Sequence, residues 1–379
     1  MRILMLNANR SGVGTYVRAL NFGWAFASAG HEVTLCTVSA REKWRMTRRQ
    51  ARGVAILEMP NWGDRLWPGW GSGPLDIAHR LRLLQRQRFD LVYGFEYQPN
   101  VAWPIYLTRP FQSYRLLSDW CDWFAGGANR FRDIRLAHRF DQFFEERIRY
   151  LADRVTVISS VLEARALGLG LPRERVVLIE EGVDTDYIRP LPQAEMRARF
   201  GLPPDVPLLV SITGGDMRRA VEILAETRRQ VPEARLLVIG FKQPAVAQTA
   251  ARLGLSAAVY ETGRVSDDDL PRYLACADVC FFHLEDTLVD RARWPHKVND
   301  FLAAGRATVV SPVGDIGPFF RRHAVGGVAV TNADFADTIA ALLRDPDRRE
   351  ACARRARQVA VEQLDWRVLR EKIVRLAAP

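Results

Sequence analysis

Cysteine is scarce in this chain, and the few cysteines are widely spaced. Cys36, Cys121, Cys276, Cys280 and Cys352 form no CxxC pair and no dense, even framework. This spacing argues against a cysteine zinc site and a disulfide scaffold, and it favours a reducing compartment. Cys276 and Cys280 lie four residues apart in an apolar stretch, where buried packing is the usual role.

Long hydrophobic runs are also missing. No run approaches the roughly 20 apolar residues of a membrane span, and the N-terminus lacks the apolar core and cleavage site of a signal peptide. We therefore expect the protein in the cytoplasm. The six histidines show no metal-ligand spacing, and we interpret all of them, including His31 and His296, as structural or solvent-facing. The sequence thus predicts no metal ion and no cofactor.

The composition is that of a folded protein with an excess of positive charge. Of the 379 residues 48% are hydrophobic, and the formal net charge is +10. This length suits two domains. The charge predicts an anionic partner, which is nucleic acid, an anionic membrane or a phosphorylated ligand, and charge alone does not choose among them.

Short apolar runs alternate with helical periodicity through the first half of the chain. A strand at 2–8 leads through the glycine loop SGVG into a helix at 16–29. Further strands are predicted at 33–38, 89–96, 114–120 and 153–159. This alternation predicts a parallel sheet with crossover helices, and we assign residues 1–187 to an N-terminal Rossmann-like domain.

The same alternation begins again after a proline-rich stretch. Residues 188–206 contain YIRPLP and GLPPDVP and are predicted to form a linker. Residues 207–360 form the second Rossmann-like domain, and a C-terminal helix at 361–379 could cross back to the first. The predicted fold class is α/β, with two Rossmann-like domains that face each other across a cleft.

The first glycine loop has the features of an anion site. Gly12 and Gly14 stand between the first strand and the start of a helix, where free N–H groups and the helix dipole favour a phosphate or carboxylate. The loop is not a dinucleotide fingerprint, because Val17 takes the place of the third glycine and no P-loop lysine follows. A tight structural turn is an equally good interpretation.

A second candidate site lies at the start of a helix in the other half. Pro295 suits a first turn, which would place Lys297 in that turn and Asp300 on the same face. A lysine can neutralise a diphosphate, and a carboxylate can accept hydrogen bonds from ribose hydroxyls. In isolation the two residues would be read as an exposed ion pair.

The order of several motifs resembles that of family 4 glycosyltransferases. The matching segments are SGVGTYVRAL with SAGHEV, DRVTVISS, ERVVLIEEGVDTDYIRP, ARLLVIG, TGRVSDDDLPRYLACADVCFF and PHKVNDFLAAGRATVVS. Together they cover most of the chain. The resemblance implies a GT-B fold, a nucleotide sugar as co-substrate, retention of anomeric configuration and no metal ion, with the acceptor on the N-terminal domain and the donor on the C-terminal one.

The resemblance also implies roles for individual residues. Gly12 and Gly14 would approach the diphosphate or acceptor, Arg264 and Val265 would bracket the base through backbone contacts, Lys297 would meet phosphate and Asp300 would hold the ribose. Lys297 is thus both a donor-binding and a catalytic candidate.

Two departures from the family pattern affect these roles. The family has paired acids eight residues apart, whereas here Ala292 precedes Asp300 at that distance. The sugar contact of that first acid would then be lost, or it would be supplied by Glu285, Asp286 or Asp290. The family also has an arginine and a lysine after the first strand of the second domain, and here Arg218 or Arg219 would take the place of that lysine.

Three acids of the first half are candidates for the acceptor side. Asp119 and Asp122 follow the strand at 114–120, and Glu96 ends the strand at 89–96. We predict Asp119 as the catalytic residue, which would orient groups and stabilise charge while the departing phosphate takes the acceptor proton. Helix capping by Asp119 is an equally good interpretation.

A basic and aromatic region suggests where the acceptor is found. Residues 41–52 carry six basic side chains against one acid, and residues 60–71 contain three tryptophans. Such a region suits an anionic bilayer or a lipid-linked acceptor on the inner face of the membrane. The alternative is a solvated basic helix with tryptophans packed beneath it.

The sequence therefore predicts a retaining, hexosyltransferase-like enzyme that moves a sugar from a nucleotide sugar to a glycan, lipid-linked or small-molecule acceptor. One alternative is a degenerate GT-B protein that binds a nucleotide sugar or glycan without turnover. Others are a different GT-B enzyme such as an epimerase and a basic nucleic-acid-binding protein, although no nucleic-acid recognition motif is present.

Overall fold

The computed structural model describes residues 1–64, 71–128 and 135–378, which divide into two compact units. Unit 1 comprises Met1–Glu180, Thr287–Trp294 and Trp366–Pro379, and unit 2 comprises Glu181–Asp286 and Pro295–Asp365. Residues 188–206, predicted as a linker, are thus part of unit 2. Of the predicted C-terminal helix, residues 366–379 belong to unit 1.

The described residues form parallel-sheet α/β architecture in both units. The strands are β1 Arg2–Arg10, β2 Glu32–Val38, β3 Thr47–Ala51, β4 Val54–Met59, β5 Leu91–Phe95, β6 Arg115–Trp120, β7 Arg154–Val157, β8 Val176–Leu178, β9 Leu208–Ile212, β10 Arg235–Ile239, β11 Val259–Glu261, β12 Val279–Phe282, β13 Thr308–Val310 and β14 Gly326–Val328. The helices are α1 Tyr16–Ser28, α2 Pro74–Arg86, α3 Pro99–Thr108, α4 Arg135–Leu151, α5 Ser160–Gly168, α6 Gln193–Arg199, α7 Arg218–Arg228, α8 Pro244–Arg252, α9 Leu270–Ala275, α10 Leu288–Ala292, α11 His296–Ala303, α12 Ile316–His323, α13 Asn332–Arg344, α14 Pro346–Val359 and α15 Trp366–Val374.

Unit 1 is built on an eight-stranded sheet in the order β3-β4-β2-β1-β5-β6-β7-β8. Every neighbouring pair is parallel except β3 with β4. The central strand β5 is buried along its whole length, as expected for a parallel sheet covered by helices on both faces. The apolar runs of the sequence become these inner strands.

The C-terminal helix α15 contributes to the core of unit 1. The Phe22 ring lies 5.7 Å from the ring of Phe95 and 6.1 Å from that of Trp366, both edge-on. Leu369 and Ile373 belong to the same cluster of buried residues. The large buried area of the Trp366 indole makes this helix a source of stability for unit 1.

The basic segment at 41–52 is not the helix of the alternative interpretation. Its second half is strand β3, which pairs antiparallel with β4. Arg52 and Gly53 connect the two strands with φ of 52° and 78°, the left-handed pair that a two-residue hairpin turn requires. An exposed edge strand rich in arginine is a common protection against edge-to-edge pairing.

Unit 2 is built on a six-stranded parallel sheet in the order β11-β10-β9-β12-β13-β14. Its inner strands β9 and β12 are fully buried. The stretch predicted as a linker is fixed to this unit by Arg197, which is 3% exposed and donates to the carbonyl of Cys276 at 2.9 Å and the carboxylate of Asp278 at 2.7 Å. Its charge is therefore paired inside unit 2.

Candidate functional site

Lys297 defines the candidate site at the carboxyl edge of the unit 2 sheet. It lies in the first turn of α11, as predicted, and its ammonium group donates a hydrogen bond to the carbonyl of Thr213, just after β9. Nζ lies 5.7 Å from the centre of the Phe282 ring, at the end of β12. A Cβ at Gly214 would stand 2.5 Å from Nζ, so the glycine leaves the room that Lys297 occupies.

Asp300 lies one turn further along α11 and is 2% exposed. Burial raises the pKa of this carboxyl group. Its Oδ1 accepts no hydrogen bond from any described residue. Buried oxygens are normally paired, so an unpaired oxygen is an unusual feature of this part of the site.

His296, interpreted from the sequence as structural or solvent-facing, lies between two carboxylates of the candidate site. Its Nε2 lies 3.5 Å from Asp300 Oδ1, and its Nδ1 lies 3.5 Å from Glu181 Oε1. Burial would lower the pKa of His296, but the charges of Asp300 and Glu181 outweigh it and raise the pKa to about 9. The spacing of four residues to Asp300 was visible in the sequence, whereas the partner Glu181 comes from a distant segment.

The two arginines of α7 have different surroundings. Arg219 donates to Asn332 Oδ1 at 2.9 Å and to the carbonyl of Val330 at 2.6 Å, so its guanidinium holds the start of α13. Arg218 is exposed and its Nε donates to Asp216 at 2.6 Å. Of the two, Arg218 has the side chain that a ligand can reach.

The predicted base-binding residues lie after β11, beside the loop that follows β10. The Gly240 N–H donates to the carbonyl of Gly263 at 3.2 Å, which joins the two loops. The guanidinium of Arg264 lies 5.8 Å from the centre of the Phe241 ring, and Phe241 is 64% exposed. Val265 is half-buried beside Arg264. Phe241 offers an aromatic face that no sequence motif indicated.

The glycine loop of unit 1 has the conformation that only glycine adopts easily. Gly12 and Gly14 have φ of 82° and 58°. A Cβ at Gly14 would stand 2.7 Å from the side chain of Asn9, whereas one at Gly12 would meet nothing within 4 Å. Asn9 in turn donates to Thr15 Oγ1 at 2.8 Å, at the start of α1. The Asn9 side chain thus packs against the loop at Gly14, whereas the space beside Gly12 is unoccupied by described residues.

Asp119, predicted on the acceptor side, is fully buried in unit 1. Arg18 donates to both of its carboxylate oxygens, at 2.9 and 3.2 Å. Thr156 Oγ1 donates to Oδ1 at 2.5 Å, and Cys121 Sγ donates to Oδ2 at 2.8 Å. With four donors and no exposed surface, this carboxylate supports the structure beneath the carboxyl edge of β6, and among the described residues it caps no helix.

Glu96 is 1% exposed and has a φ of 70°, a rare conformation for a residue with a side chain. Its Oε1 accepts hydrogen bonds from the N–H groups of Cys121 at 2.9 Å and Asp122 at 3.2 Å, and its Oε2 lies 3.6 Å from Arg149. Burial raises the pKa of Glu96 well above its usual range. Of the three acids predicted for the acceptor side, only Asp122 is more than slightly exposed.

Ala292, which replaces the family's first acid, lies in unit 1. It is buried, and its carbonyl accepts a hydrogen bond from Ser159 Oγ at 2.5 Å. Of the acids proposed in its place, Asp290 is 8% exposed and paired with Arg293, and Glu285 and Asp286 are exposed. A ligand can therefore reach the last two most easily.

The basic segment of unit 1 carries an exposed aromatic pair. Trp44 and Trp62 are 62% and 41% exposed, and their rings stack with centres 5.5 Å apart. Backbone bonds hold the pair, because the N–H of Trp62 donates to the carbonyl of Lys43 at 3.1 Å. The other two tryptophans of residues 60–71, Trp67 and Trp70, lie outside the described residues.

Three general features bear on metal, membrane and redox chemistry. In residues 1–64, 71–128 and 135–378, no three His, Cys, Asp or Glu side chains are grouped so as to hold a metal ion. None of the helices in those ranges is long and apolar enough to cross a bilayer. All five cysteines have free thiols. Metal independence of the reaction stays a prediction.

Two family descriptions match this chain. The first, "Glycosyl transferase 4-like domain", matches residues 11–182, and the second, "Glycosyl transferases group 1", matches residues 215–345. The second match includes Lys297, Asp300 and both loops around Phe241. The matched segments follow in the order that the motifs predicted.

Curated relatives and a solved structure resemble the chain as well. D-inositol 3-phosphate glycosyltransferase of Thermobispora bispora is 29% identical over 228 residues, which are 55% of this chain and 51% of the relative. The GDP-mannose-dependent alpha-(1-6)-phosphatidylinositol monomannoside mannosyltransferase of Mycobacterium tuberculosis is 30% identical over 239 residues, 58% of this chain and 60% of the relative. The chain thus spans about half to three-fifths of these relatives. The structure of Anabaena HepE with UDP-glucose has a TM-score of 0.75 at 15% identity, covering 100% of this chain and 99% of that chain, which shows a shared fold.

Proposed function

We propose that this chain, which belongs to the family 4 glycosyltransferases and has the GT-B fold, transfers a sugar from a nucleotide-activated donor to an acceptor hydroxyl. The observation that carries the proposal is the place of Lys297, whose ammonium group lies at the loop after β9. Open α/β sheets bind ligands at the carboxyl ends of their strands, and a lysine there can neutralise a diphosphate.

The donor in this proposal is a nucleoside diphosphate sugar bound by unit 2. Lys297 meets the diphosphate, Asp300 accepts from the ribose hydroxyls, and Phe241 with Arg264 flanks the base. Support comes from the relative named for GDP-mannose and from the Anabaena structure that holds UDP-glucose. Because an aromatic face stacks on any base, Phe241 suits uridine and guanosine alike.

The reaction in this proposal retains the anomeric configuration and uses no metal. The bond between the sugar's anomeric carbon and the diphosphate oxygen breaks while the acceptor oxygen bonds to that carbon from the same face. The acceptor proton passes to the departing diphosphate. The protein stabilises the charge on that leaving group through Lys297, and no covalent sugar–enzyme intermediate forms.

The acceptor in this proposal binds unit 1, near the carboxyl ends of β5 and β6. Asp122 contacts it, since its side chain is partly accessible, while Glu96 holds the backbone of Asp122 in place. Asp119 then acts as a positioning residue, because its carboxylate is enclosed by four donors.

We further propose that the acceptor is lipid-linked and that the protein works at the cytoplasmic face of a membrane. The stacked, exposed Trp44 and Trp62 lie beside Arg41, Lys43 and Arg45, a combination that suits an anionic interface. The Mycobacterium tuberculosis relative is named for a phosphatidylinositol acceptor. Five free thiols agree with a reducing compartment.

The first experiment is a thermal-shift screen with UDP, GDP, ADP, CMP and dTDP, without metal and again with EDTA. A ligand of the folded state adds about 2.7 kcal/mol of stability at a hundred times its dissociation constant. We expect one nucleotide to raise the melting temperature, the shift to persist in EDTA, and Lys297→Ala to abolish it. Lys43→Ala, a change to an exposed lysine of unit 1, is the control and should keep the shift.

A shift that vanishes in EDTA would contradict the metal-free part of the proposal. A shift that survives Lys297→Ala in full would contradict the assigned site. No shift with any nucleotide would contradict donor binding itself.

A second candidate function is a protein that binds nucleotide sugars without turning them over. It is favoured by Ala292, which puts a buried methyl group where the family has an acid. Incubation with the matching nucleotide sugar and lipid or glycan acceptors distinguishes the two. Released nucleoside diphosphate together with glycosylated product supports the transferase, and tight donor binding without either product supports the binding protein.

A further inference from the structure

The first turn of α11 brings a histidine and a lysine next to two carboxylates. The ring nitrogens of His296 lie 3.5 Å from Glu181 and 3.5 Å from Asp300, on opposite edges of the imidazole. Both carboxylates are shielded, with side-chain exposures of 8% and 3%. The imidazole itself keeps 41% of its surface accessible, so a ligand at Lys297 can be close to it.

The net charge of this cluster determines whether it repels an anion. Lys297 contributes one positive charge, and Glu181 and Asp300 contribute two negative charges. With a neutral His296 the four groups carry a net negative charge, which repels a diphosphate, whereas with an imidazolium they are balanced. Charged groups a few ångströms apart in a partly shielded site interact by several times the thermal energy.

The two arginines of α7 are less well placed to offset the negative charge of Glu181 and Asp300. Arg219 is bonded to Asn332 and to the carbonyl of Val330. Arg218 is paired with Asp216. Within the cluster, a protonated His296 is therefore the second positive charge beside that of Lys297.

We propose that His296, as an imidazolium held between Glu181 and Asp300, is a positioning residue of the donor site. It keeps the Asp300 carboxylate oriented for the ribose and offsets the negative charge that would oppose the diphosphate. This inference rests on the proposed function. It adds the prediction that donor affinity depends on one proton in the site.

The sign of the pH dependence follows from the groups that face His296. Burial lowers the pKa of His296, Asp300 and Glu181 raise it, Lys297 lowers it, and the result is a pKa of about 9. The imidazolium is therefore present at neutral pH and is lost as the pH rises through 9. Nucleoside diphosphate should bind best below that value and more weakly above it.

The test compares the full chain with His296→Gln, which keeps a polar side chain but cannot be charged. Dissociation constants for UDP and GDP are measured by titration calorimetry from pH 7 to pH 10 at constant ionic strength. We expect the variant to bind about tenfold more weakly at pH 7, as befits the loss of one nearby charge, and the ratio to fall towards one at pH 10. The ratio removes the ionisation of the nucleotide, which is the same for both proteins.

A second measurement follows the proton directly. The chain has six histidines, so the imidazole signal that His296→Gln removes from a nitrogen–proton NMR spectrum belongs to His296. We expect that signal to titrate near pH 9 and Glu181→Gln to move both this midpoint and the fall in UDP or GDP affinity to lower pH. Glu181→Gln also serves if His296→Gln does not fold.

The control is His323→Gln, at the end of α12 in unit 2, which should leave affinity and pH profile unchanged. Equal affinities of the wild type and His296→Gln at every pH would overturn the proposed role of His296 but leave the proposed donor function intact. A His296 midpoint below pH 7 would do the same. If the wild type binds no nucleoside diphosphate at all, the donor function fails, and this inference fails with it.

Discussion

Arg18 forms a two-point ion pair with Asp119 inside unit 1, with Nε to Oδ2 at 2.9 Å and a second contact to Oδ1 at 3.2 Å. Both side chains are almost completely buried. The Arg18 guanidinium also donates to the carbonyl of Ile179 at 2.9 Å and lies 4.6 Å from the centre of the Phe22 ring. The pair thus links α1, β6 and the segment after β8.

Arg18→Met should destabilise the protein by about 3 to 5 kcal/mol, because it leaves the buried Asp119 charge without its partner. Urea unfolding measures the change. Arg354→Met, which breaks an exposed pair with Glu350, is the control and should cost less than about 1 kcal/mol. If both variants unfold at the same urea concentration, the buried pair contributes little.

Gly214→Ala should weaken nucleotide binding without unfolding unit 2. A Cβ there would stand 2.5 Å from Lys297 Nζ, so the ammonium group must leave its place. We expect a loss of affinity of about tenfold for the nucleotide that shifts the melting temperature, corresponding to about 1.4 kcal/mol.

The control for this prediction is Gly168→Ala at the end of α5, where an added Cβ meets nothing within 4 Å. Its affinity should equal that of the wild type. Unchanged binding by Gly214→Ala would show that Lys297 can act from another position.

Glu145 and Asp76 should each contribute stability that is lost as the pH rises from about 5 to 7. Burial raises the pKa of Glu145 to about 7 and that of Asp76 to about 6, so the folded state keeps protons that the unfolded state has released. A folded state that binds more protons loses stability with increasing pH in this interval. Glu145→Gln should reduce the loss of unfolding free energy over this pH interval by about 1 to 3 kcal/mol.

Chemical unfolding at several pH values measures this slope. Part of it should remain in Glu145→Gln, because Asp76 still titrates. Glu174→Gln, at an exposed position, is the matched control and should reproduce the wild-type slope. A slope in Glu145→Gln as steep as in the wild type would exclude Glu145 as its source.

Trp44→Ala with Trp62→Ala should reduce flotation with vesicles that contain anionic lipid. The two indoles supply apolar surface beside basic side chains, and the electrostatic part should weaken at high salt. Trp103→Ala is the control, because Trp103 is 40% exposed on α3 and lies outside the basic segment. No flotation of the wild type even at low salt would contradict membrane binding.

The fold could be predicted from the sequence because its signals are local. The apolar runs before Thr213 and before Gly240 are the strands β9 and β10, and the α/β class and GT-B fold are confirmed. The order of the motifs also indicated the family correctly. The basic segment at 41–52 was harder, because arginine and threonine show no apolar periodicity, and its strand is set by pairing with β4.

The candidate site was predictable only in part, because its chemistry depends on distant partners. Lys297 and Asp300 were visible as a helix-start pattern followed by a strand. That Glu181 would pair with His296, or that Arg18 would enclose Asp119, depends on how separate segments pack. The exposed ring of Phe241 beside Arg264 likewise follows from two loops that meet only in the folded sheet.

Unit 1 takes its residues from three separate stretches of the chain, and the last of them supplies Trp366 to its core. During synthesis the first 180 residues therefore leave the ribosome without that part of their core. Unit 1 is complete only after all of unit 2 has been synthesised. Until then the apolar surface around Phe22 stays uncovered. Contacts of such long sequence separation also slow folding. Unit 2, whose last residue Asp365 emerges before the stretch from Trp366 onward that completes unit 1, should finish first, and unit 1 should be the part that depends on chaperones.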